Sequence, residues 1–147
     1  MPIPFSFINN SLVPKMIGFT SPYGIASSSS NKLNEEAWRA FGDSSTWASN
    51  NTAVAWLQYQ FPAKRRVVSY IFNNKASLST VCTFSFQGSN DGSSFTTLNT
   101  QSSLGLAGFA NFSALVNNTN KYLYYRFNFT ANSQSIDVVG NCQMYGY

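Results

Sequence analysis

The chain has few side chains that can perform catalysis. Its 147 residues include no histidine, so a Ser–His–Asp triad, a Cys–His pair and a histidine-ligated metal site are excluded. Its acidic residues are Glu35, Glu36, Asp43, Asp91 and Asp137. One carboxylate pair for glycoside hydrolysis is suggested by closeness in sequence: it would join Asp43 to either Glu35 or Glu36. Adjacent glutamates beside a short helical turn are usually solvated, so we predict that the protein is not an enzyme.

The two cysteines, Cys82 and Cys142, lie in the apolar, strand-like runs STVCTF and VVGNCQMYGY. Their spacing excludes a CxxC metal or redox motif, and it fits either one disulfide or two buried thiols. Cysteine is among the most buried residue types even when it is unpaired, which favours two free thiols.

Charged side chains are sparse. They make up 10% of the chain, against about 25% in a typical globular protein. The net charge is +4, but the only basic cluster is Lys64, Arg65 and Arg66, which precedes the apolar pair at 67–68 as a solvated loop entering a strand does. No basic face or stacking motif accompanies the cluster, so we expect no nucleic-acid partner.

The N-terminal segment MPIPFSFINNSLVPKMIGF lacks the features of a targeting signal. It has no basic start before an apolar core, and prolines interrupt it, so it is not typical of a secretory signal peptide. No window approaches the roughly 18 apolar residues of a membrane span. We therefore expect a soluble protein that is made in a cytoplasm.

The remaining sequence reads as short strands separated by turns. The only helical candidate is the segment 33–41 (LNEEAWRAF), which we expect to form one or two turns at most, with Asn34 as its cap. In WLQYQF and YLYYRFNF the apolar residues alternate, which places each set on one face of a strand. These faces consist of Leu57, Tyr59 and Phe61, and of Leu123, Tyr125, Phe127 and Phe129. Such a pattern predicts an antiparallel all-β sandwich or barrel.

The stretch FSFQGSNDGSSFTTL, residues 84–98, predicts a β-hairpin. Phe84 and Phe86 lie on one side of an extended strand, and Asn90, Asp91 and Gly92 supply a turn that tolerates positive φ. Its only carboxylate, Asp91, stands where turns commonly use Asp to bind their own backbone. The hairpin is therefore expected to be structural.

The ordered set of motifs resembles a known family. IASSSS, AWRAFGDSSTWAS, AWLQYQF, VVSYIF, FSFQGSNDGSSFTTLNT, YLYYRFNFTA and GNCQMYGY are similar, in order and spacing, to the discoidin domain (coagulation factor V/VIII type C), whose fold the family-32 carbohydrate-binding modules share. The resemblance covers residues 25–147. It implies a jelly-roll β-sandwich of about eight antiparallel strands, without catalytic activity, preceded by an irregular N-terminal arm. We divide the chain into an arm (1–20) and a sandwich domain (21–147).

The resemblance also implies that ligands bind to loops at one end of the sandwich. Loops 29–36, 47–53 and 73–80 should converge there, bordered by 105–110. Amides and cations in these loops suit the hydroxyl groups of a sugar, and an aromatic ring suits its apolar face. The candidate ligand-binding residues are Asn31, Lys32, Asn34, Arg39, Trp47, Asn50, Asn51, Asn73, Asn74, Lys75, Leu78 and Phe109. Trp47 has a second interpretation, since tryptophans at such positions are usually core residues.

This chain departs from the family's pattern at the positions used for calcium binding and for membrane insertion. Many relatives hold a structural calcium with a Phe-Asp-Gly motif and a glutamate in the last strand, whereas this chain has Phe41-Gly42-Asp43 and Asn141. Asp43 is the remaining candidate ligand for such a calcium, the one possible cofactor. Coagulation-type relatives insert apolar side chains into membranes, but the matching loop offers only Leu78, so we expect no membrane insertion.

Two functions are compatible with the resemblance. The first is a glycan-binding adhesion module displayed on a virion, because the lead SLVPKMIGFTSPYGIASSSS resembles the start of small discoidin-like proteins of bacteriophages. The alternative is a structural decoration or connector, in which residues 1–20 dock onto a capsid or tail protein. In either case we expect a homo-oligomer or multicopy display, because single sugar sites bind weakly.

Overall fold

The computed structural model describes residues 10–43 and 45–147. Alternating apolar residues form strands there, and the strands pair into two antiparallel sheets. The strands are β1 (Ile25–Ser28), β2 (Thr46–Ala48), β3 (Ala55–Arg65), β4 (Val67–Asn74), β5 (Thr80–Ser89), β6 (Thr96–Leu106), β7 (Asn111–Leu115), β8 (Tyr122–Asn132) and β9 (Val138–Gly146). One sheet has the order β1-β3-β8-β5-β6 and the other β2-β9-β4-β7. The predicted all-β sandwich is confirmed, with nine strands instead of about eight.

Aromatic side chains fill the space between the sheets. Leu57, Tyr59 and Phe61 are buried as the alternation in β3 predicts. In β8, Tyr125, Phe127 and Phe129 are buried as well. Leu123, near the start of β8, is only half-buried.

The Tyr70 ring lies near the centre of this core. Its centroid is 4.7 Å from that of Phe86 and 5.0 Å from that of Phe127. Edge and tilted ring pairs of this kind stabilise a core beyond the apolar area that they bury, by about 0.5–1.5 kcal/mol each. The two sheets are therefore held rigidly enough to position their loops.

The predicted hairpin joins β5 to β6. Oδ1 of Asp91 accepts hydrogen bonds from the backbone amides of Ser93 and Ser94, both at 2.8 Å. These bonds hold the pKa of the Asp91 carboxyl below its usual value. Asp91 therefore fixes the turn, as the sequence predicts.

The predicted helical segment forms a single turn. Within residues 33–41, α1 spans Ala37–Ala40. Asn34 has φ +64°, a left-handed conformation that cannot be part of a right-handed helix. The N-cap is Glu36, whose side chain makes no capping bond. The predicted cap at Asn34 is wrong, because the helix begins at Ala37 and its N-cap is Glu36.

Part of the predicted arm packs onto the sandwich. The Leu12 amide donates to Met144 O at 2.7 Å, and the Met16 amide donates to Phe41 O at 3.2 Å. Val13 and Met16 are buried in the core. Residues 1–9 of the arm lie outside the described residues, and the division at residue 20 stays a prediction.

Both cysteines are free thiols. Burial raises the pKa of Cys82 to about 11 and raises that of Cys142 as well. Because thiolates are the reactive form, both side chains behave as inert apolar groups. Of the two alternatives left by the sequence, the free thiols are confirmed.

In the part of the chain that the structure describes, no helix is long and apolar enough to cross a membrane.

Candidate functional site

Five loops meet at one end of the sandwich, which we call the loop end: residues 29–36, 49–54, 75–79, 107–110 and 133–137. The strand registers place them together. Ser28 is opposite Leu57, Ala55 is opposite Phe129, and Cys82 is opposite Asn132. Thr80 is in turn opposite Leu106. The loops that the sequence selected therefore share one surface.

Hydrogen bonds join loop 29–36 to β2 and to loop 49–54. Trp47 Nε1 donates to Ser30 O at 3.0 Å, and the Asn50 amide donates to Ser30 Oγ at 3.2 Å. The Lys32 amide donates to Ala48 O at 2.9 Å. Trp47 itself is fully buried. Its suggested contact with a sugar ring is thus corrected, because the indole packs in the core and holds a loop from below.

The asparagine side chains of these two loops are exposed. Asn31, Asn34, Asn50 and Asn51 all lie at the surface, and Lys32 is half-buried. Asn34 and Asn51 have positive φ, which asparagine tolerates better than most residues. They form turns as well as presenting amides.

Arg39 is already engaged inside the molecule. Its Nε donates to Glu36 Oε2, and its guanidinium lies 4.6 Å from the centroid of the Trp38 ring. The Arg39 guanidinium holds the pKa of the Glu36 carboxyl below its usual value. A sugar hydroxyl would have to compete with this pair for Arg39.

The amides of Asn73 and Asn74 are also used internally. Asn73 Nδ2 donates to Phe109 O at 2.7 Å and to Asn111 Oδ1 at 2.9 Å. Asn74 Nδ2 donates to Ala107 O at 3.0 Å. Both side chains are buried. They position loop 107–110 and do not present donors to a ligand, which corrects the role that the sequence suggested.

Phe109 presents an aromatic ring to solvent. The residue is 60% exposed, although its backbone has φ +59°. Left-handed backbone is uncommon for a bulky residue and has to be held by its surroundings. Here the Phe109 amide donates to Ala76 O at 3.0 Å, and its carbonyl accepts from Asn73. The ring is therefore displayed on a fixed backbone.

The surroundings of Phe109 combine apolar and polar groups. Leu78 is 62% exposed in the facing loop. At Gly108 the two loops touch, since a Cβ there would lie 2.3 Å from Ser77 O. Asn111 and Ser77 are exposed. Sequence reasoning missed both, because a lone amide or hydroxyl in a strand or turn carries no signal of its neighbours.

Lys75, at the start of loop 75–79, lies beside the first residues of β9. Its amide donates to Val138 O at 3.3 Å. Its aliphatic stem covers Gly140, where an added Cβ would be 2.5 Å from Lys75 Cε. The same Cβ would lie 2.9 Å from Ser45 O, a backbone atom, which favours glycine at this position.

The buried carboxyl group of Asp137 lies beneath the loop end, where this residue bonds to Ser49 and Asn132. The Asp137 amide donates to Ser49 Oγ at 2.9 Å, and Asp137 Oδ1 accepts from Asn132 Nδ2 at 3.1 Å. Its Oδ2 is buried without a partner among the described residues. Burial raises the pKa of Asp137 to about 8. Nothing in the sequence SIDVV distinguishes this buried acid from an exposed one.

The residues around Asp43 do not fit a calcium site. Asp43 is exposed, and its Oδ2 pairs with Lys15 Nζ at 3.2 Å. Among residues 10–43 and 45–147 no group of three or more acidic, thiol or imidazole side chains could hold a metal. Calcium prefers six to eight oxygen ligands that include carboxylates. A single salt-bridged aspartate does not provide them.

A second concave surface lies on the outer face of the four-stranded sheet. A cavity of about 650 Å³ is bordered by Asn10, Lys15, Ile71, Asn141 and Gln143, among others. A neighbouring cavity of about 600 Å³ is bordered by residues that include Leu115 and Tyr145. Of the residues that the sequence analysis selected, Asp43 borders the first of these cavities.

Comparisons with known proteins agree with the architecture. No protein-family model matches the sequence, and no curated protein matches it. Solved structures do. The family-32 carbohydrate-binding module of AlyQ, in complex with 4,5-unsaturated mannuronic acid, has a TM-score of 0.70 and 16% identity, covering 82% of this chain and 92% of that one.

Two further structures give the same result. A family-32 module from Clostridium perfringens, in complex with GalNAc-β-1,3-galactose, has a TM-score of 0.71 and 8% identity, with 84% and 95% of the two chains covered. Chitosan-binding module 1 of a chitosanase/glucanase from Paenibacillus sp. IK-5 has a TM-score of 0.68 and 22% identity, with 84% and 95% covered. The chain therefore has the discoidin-like β-sandwich fold of the family-32 carbohydrate-binding modules.

Proposed function

We propose that this protein is a non-catalytic glycan-binding module that holds a saccharide at its loop end, against Phe109. The observation that carries the proposal is the exposed Phe109 ring on a fixed, left-handed backbone. Backbone strain of this kind is often found where a side chain must be aimed at a ligand. Several neighbours in fold bind sugars, which supports the class of ligand.

The chemistry around the ring suits a sugar. The apolar face of a pyranose can stack on the phenyl ring, and Leu78 extends the apolar surface. Asn111 and Ser77 then offer an amide and a hydroxyl group to the sugar hydroxyls. Each such bond replaces one to water, so a single site gains only about 0.5–1.5 kcal/mol from it. We expect modest affinity and selectivity that depends on the orientation of the hydroxyl groups.

The carboxyl groups argue against hydrolysis. Asp43 and Glu36 are paired with cations, and Asp137 is buried below the surface. Asp91 is fixed in the hairpin turn at the end of β5. Of the five acidic residues this leaves Glu35, whereas glycoside hydrolysis uses a pair of carboxyl groups.

The test is a glycan-array screen with the protein clustered on beads. We expect binding to a restricted set of saccharides, lost in Phe109→Ala and retained in Tyr23→Ala. Tyr23 is the matched control, because it is an exposed aromatic residue near the start of β1, at the opposite end of the sandwich. Addition of a calcium chelator should not change binding, since the residues around Asp43 do not fit calcium.

Two results would contradict the proposal. Silence across a broad array would remove the glycan-binding function and favour the connector alternative, with residues 1–20 as the functional part. Equal loss of binding in Phe109→Ala and Tyr23→Ala would show that the ring at the loop end is not the contact.

We further propose that the module is displayed in many copies on a virion. Support comes from the resemblance of residues 11–30 to the start of small bacteriophage proteins. Mass spectrometry of purified particles tests this, because a virion protein co-purifies in a fixed ratio to the capsid protein. Its absence from such particles would contradict virion display and leave the glycan-binding proposal standing.

A further inference from the structure

The outer face of the five-stranded sheet carries an arginine clamped between two aromatic rings. The guanidinium carbon of Arg126 lies 4.1 Å from the centroid of the Trp56 ring and 3.9 Å from that of Phe95. Its Nε donates to Gln58 Oε1 at 3.1 Å. Two ring faces and one hydrogen bond fix the plane of the guanidinium group.

This cation has no acidic partner in the part of the chain that the structure describes. The ion pairs found there join Lys15 to Asp43 and Arg39 to Glu36. The terminal amino groups of Arg126 make no hydrogen bond to any described residue, and the side chain is half-buried. Burial lowers the pKa of the group, yet arginine stays charged in proteins. Arg126 therefore presents a fixed positive charge with unused donors.

Polar side chains surround the arginine in cross-strand rows. Arg126 is opposite Gln58 on β3 and Gln87 on β5. The row on one side contains Trp56, Asn128 and Ser85, and the row on the other contains Gln60 and Tyr124. Apart from the buried Gln58, all of these side chains are half-buried. The rows hold amides, a hydroxyl, a phenol and aromatic rings, and no aliphatic side chain.

We propose that this surface, the arginine platform formed by Trp56, Phe95, Arg126, Gln58, Gln60 and Gln87, binds a carboxylated saccharide of the uronic-acid type. A carboxylate accepts two parallel bonds from a guanidinium group, which gives both energy and orientation. The half-buried amides of Gln60 and Gln87 suit the sugar hydroxyls, and the ring edges suit its apolar C–H groups, whereas the buried Gln58 holds the arginine in place. An acidic peptide would supply the carboxylate but not the row of hydroxyls that these amides match.

The inference rests on the proposed function for the class of ligand only, because it concerns another surface. The loop end lies at the ends of the strands, whereas the arginine platform lies on the face of the sheet. The two sites can therefore fail separately. An acidic polysaccharide that reached both would bind more tightly than either site alone.

The experiment measures binding of the whole protein to polygalacturonate by affinity gel electrophoresis. The control ligand is the same polymer after reduction of its carboxyl groups to alcohols. We expect the acidic polymer to bind, and Arg126→Gln to weaken binding at least about tenfold, as loss of a charge-assisted bond predicts. Lys121→Gln removes a charge from an exposed lysine outside this surface and should have little effect.

Tryptophan fluorescence gives a readout that does not depend on the arginine variant. Binding beside Trp56 should change the emission of the wild-type protein. Trp56→Phe keeps a ring against the guanidinium, so it should still bind while losing that change. Thermal melting checks that each variant folds. If Arg126→Gln does not fold, the fluorescence comparison alone decides.

Four results would overturn the inference: no binding of polygalacturonate, equal binding of the reduced polymer, equal weakening in Arg126→Gln and Lys121→Gln, or an emission change that persists in Trp56→Phe. Phe109→Ala separates the two proposals. If that variant loses polygalacturonate binding while Arg126→Gln keeps it, the acidic sugar occupies the loop end. If neutral glycans fail to bind any variant while polygalacturonate binds through Arg126, the proposed function at the loop end fails and the arginine platform stands.

Discussion

At the scale of single residues, the loop end depends on backbone conformations that most side chains disfavour. Asn34, Asn51 and Phe109 all have positive φ. Asparagine tolerates this region, whereas for L-residues in general it costs roughly 1–2 kcal/mol. Phe109 therefore carries a conformational cost, and its exposed ring does not offset that cost by burial.

Replacement of Phe109 by glycine should separate stability from binding. Glycine adopts positive φ without strain, so Phe109→Gly should keep or raise the melting temperature. The variant lacks the ring and should lose glycan binding. Thermal unfolding and bead binding measure the two effects. A Phe109→Gly variant that melts well below the wild type would show that the ring has a structural role. A variant that still binds the glycan would show that Phe109 is not part of the binding site.

Asp137 should make stability depend on pH. Its folded pKa of about 8 is raised above the ordinary value of 3.8, so the folded state holds a proton that the unfolded state loses. Stability should therefore fall as pH rises from about 4 to about 8, by at most about 1.4 kcal/mol per pH unit. Above that range this contribution is constant.

Denaturant unfolding at several pH values measures this slope, and Asp137→Asn is the matched variant. The asparagine cannot titrate, so its stability curve should be flatter between pH 4 and 8. Parallel curves for the two proteins would show that Asp137 does not carry the pH dependence.

At the scale of elements, buried amides connect β4 to the loop that carries Phe109. Asn74 makes a bond in each direction, since its Nδ2 donates to Ala107 O and its Oδ1 accepts from the Ala76 amide. A sequence shows that these asparagines lie near a loop. It does not show that their side-chain amides donate to the carbonyls of Phe109 and Ala107, which are 36 and 33 residues away in sequence.

Asn74→Ala should therefore destabilise the protein by roughly 1–3 kcal/mol, because it removes two partly buried hydrogen bonds that contribute about 0.5–1.5 kcal/mol each. Hydrogen exchange should speed up at residues 107–110. Asn31→Ala is the control, since Asn31 is exposed and bonds only to the adjacent Lys32 carbonyl. Equal stability of the two variants would contradict the structural role of Asn74.

Elements whose signal is local follow from the sequence. The alternation in β3 and the Asn-Asp-Gly turn predict a strand and a hairpin that the structure contains. The start of the helix, the burial of Trp47 and the internal bonding of Asn73 depend on tertiary contacts. Those features were predicted wrongly or left open, because tertiary packing decides them.

At the scale of the whole molecule, the sandwich is a rigid support with two separate polar surfaces. Its loop end combines an exposed ring with amides, and one sheet face carries the arginine platform. Neither surface is a deep cleft. Shallow sites of this kind bind weakly, and several copies must act together for strong adhesion.

The strength of adhesion should therefore depend mainly on how many copies of the protein bind together. We expect the monomeric protein to bind its glycan weakly, and beads that carry many copies to bind at least about a hundredfold more tightly. Surface plasmon resonance on a glycan-coated chip compares the two forms. Equal affinity of monomer and beads would contradict multivalent display.

The most direct test of the central claim is a titration of the isotope-labelled protein with the strongest saccharide from the array, followed by NMR. If the loop end is the binding site, the largest shifts will occur at the amides of residues 75–79 and 107–111. Shifts confined to the cavities on the outer face of the four-stranded sheet, or no shifts at saturating sugar, would contradict the claim.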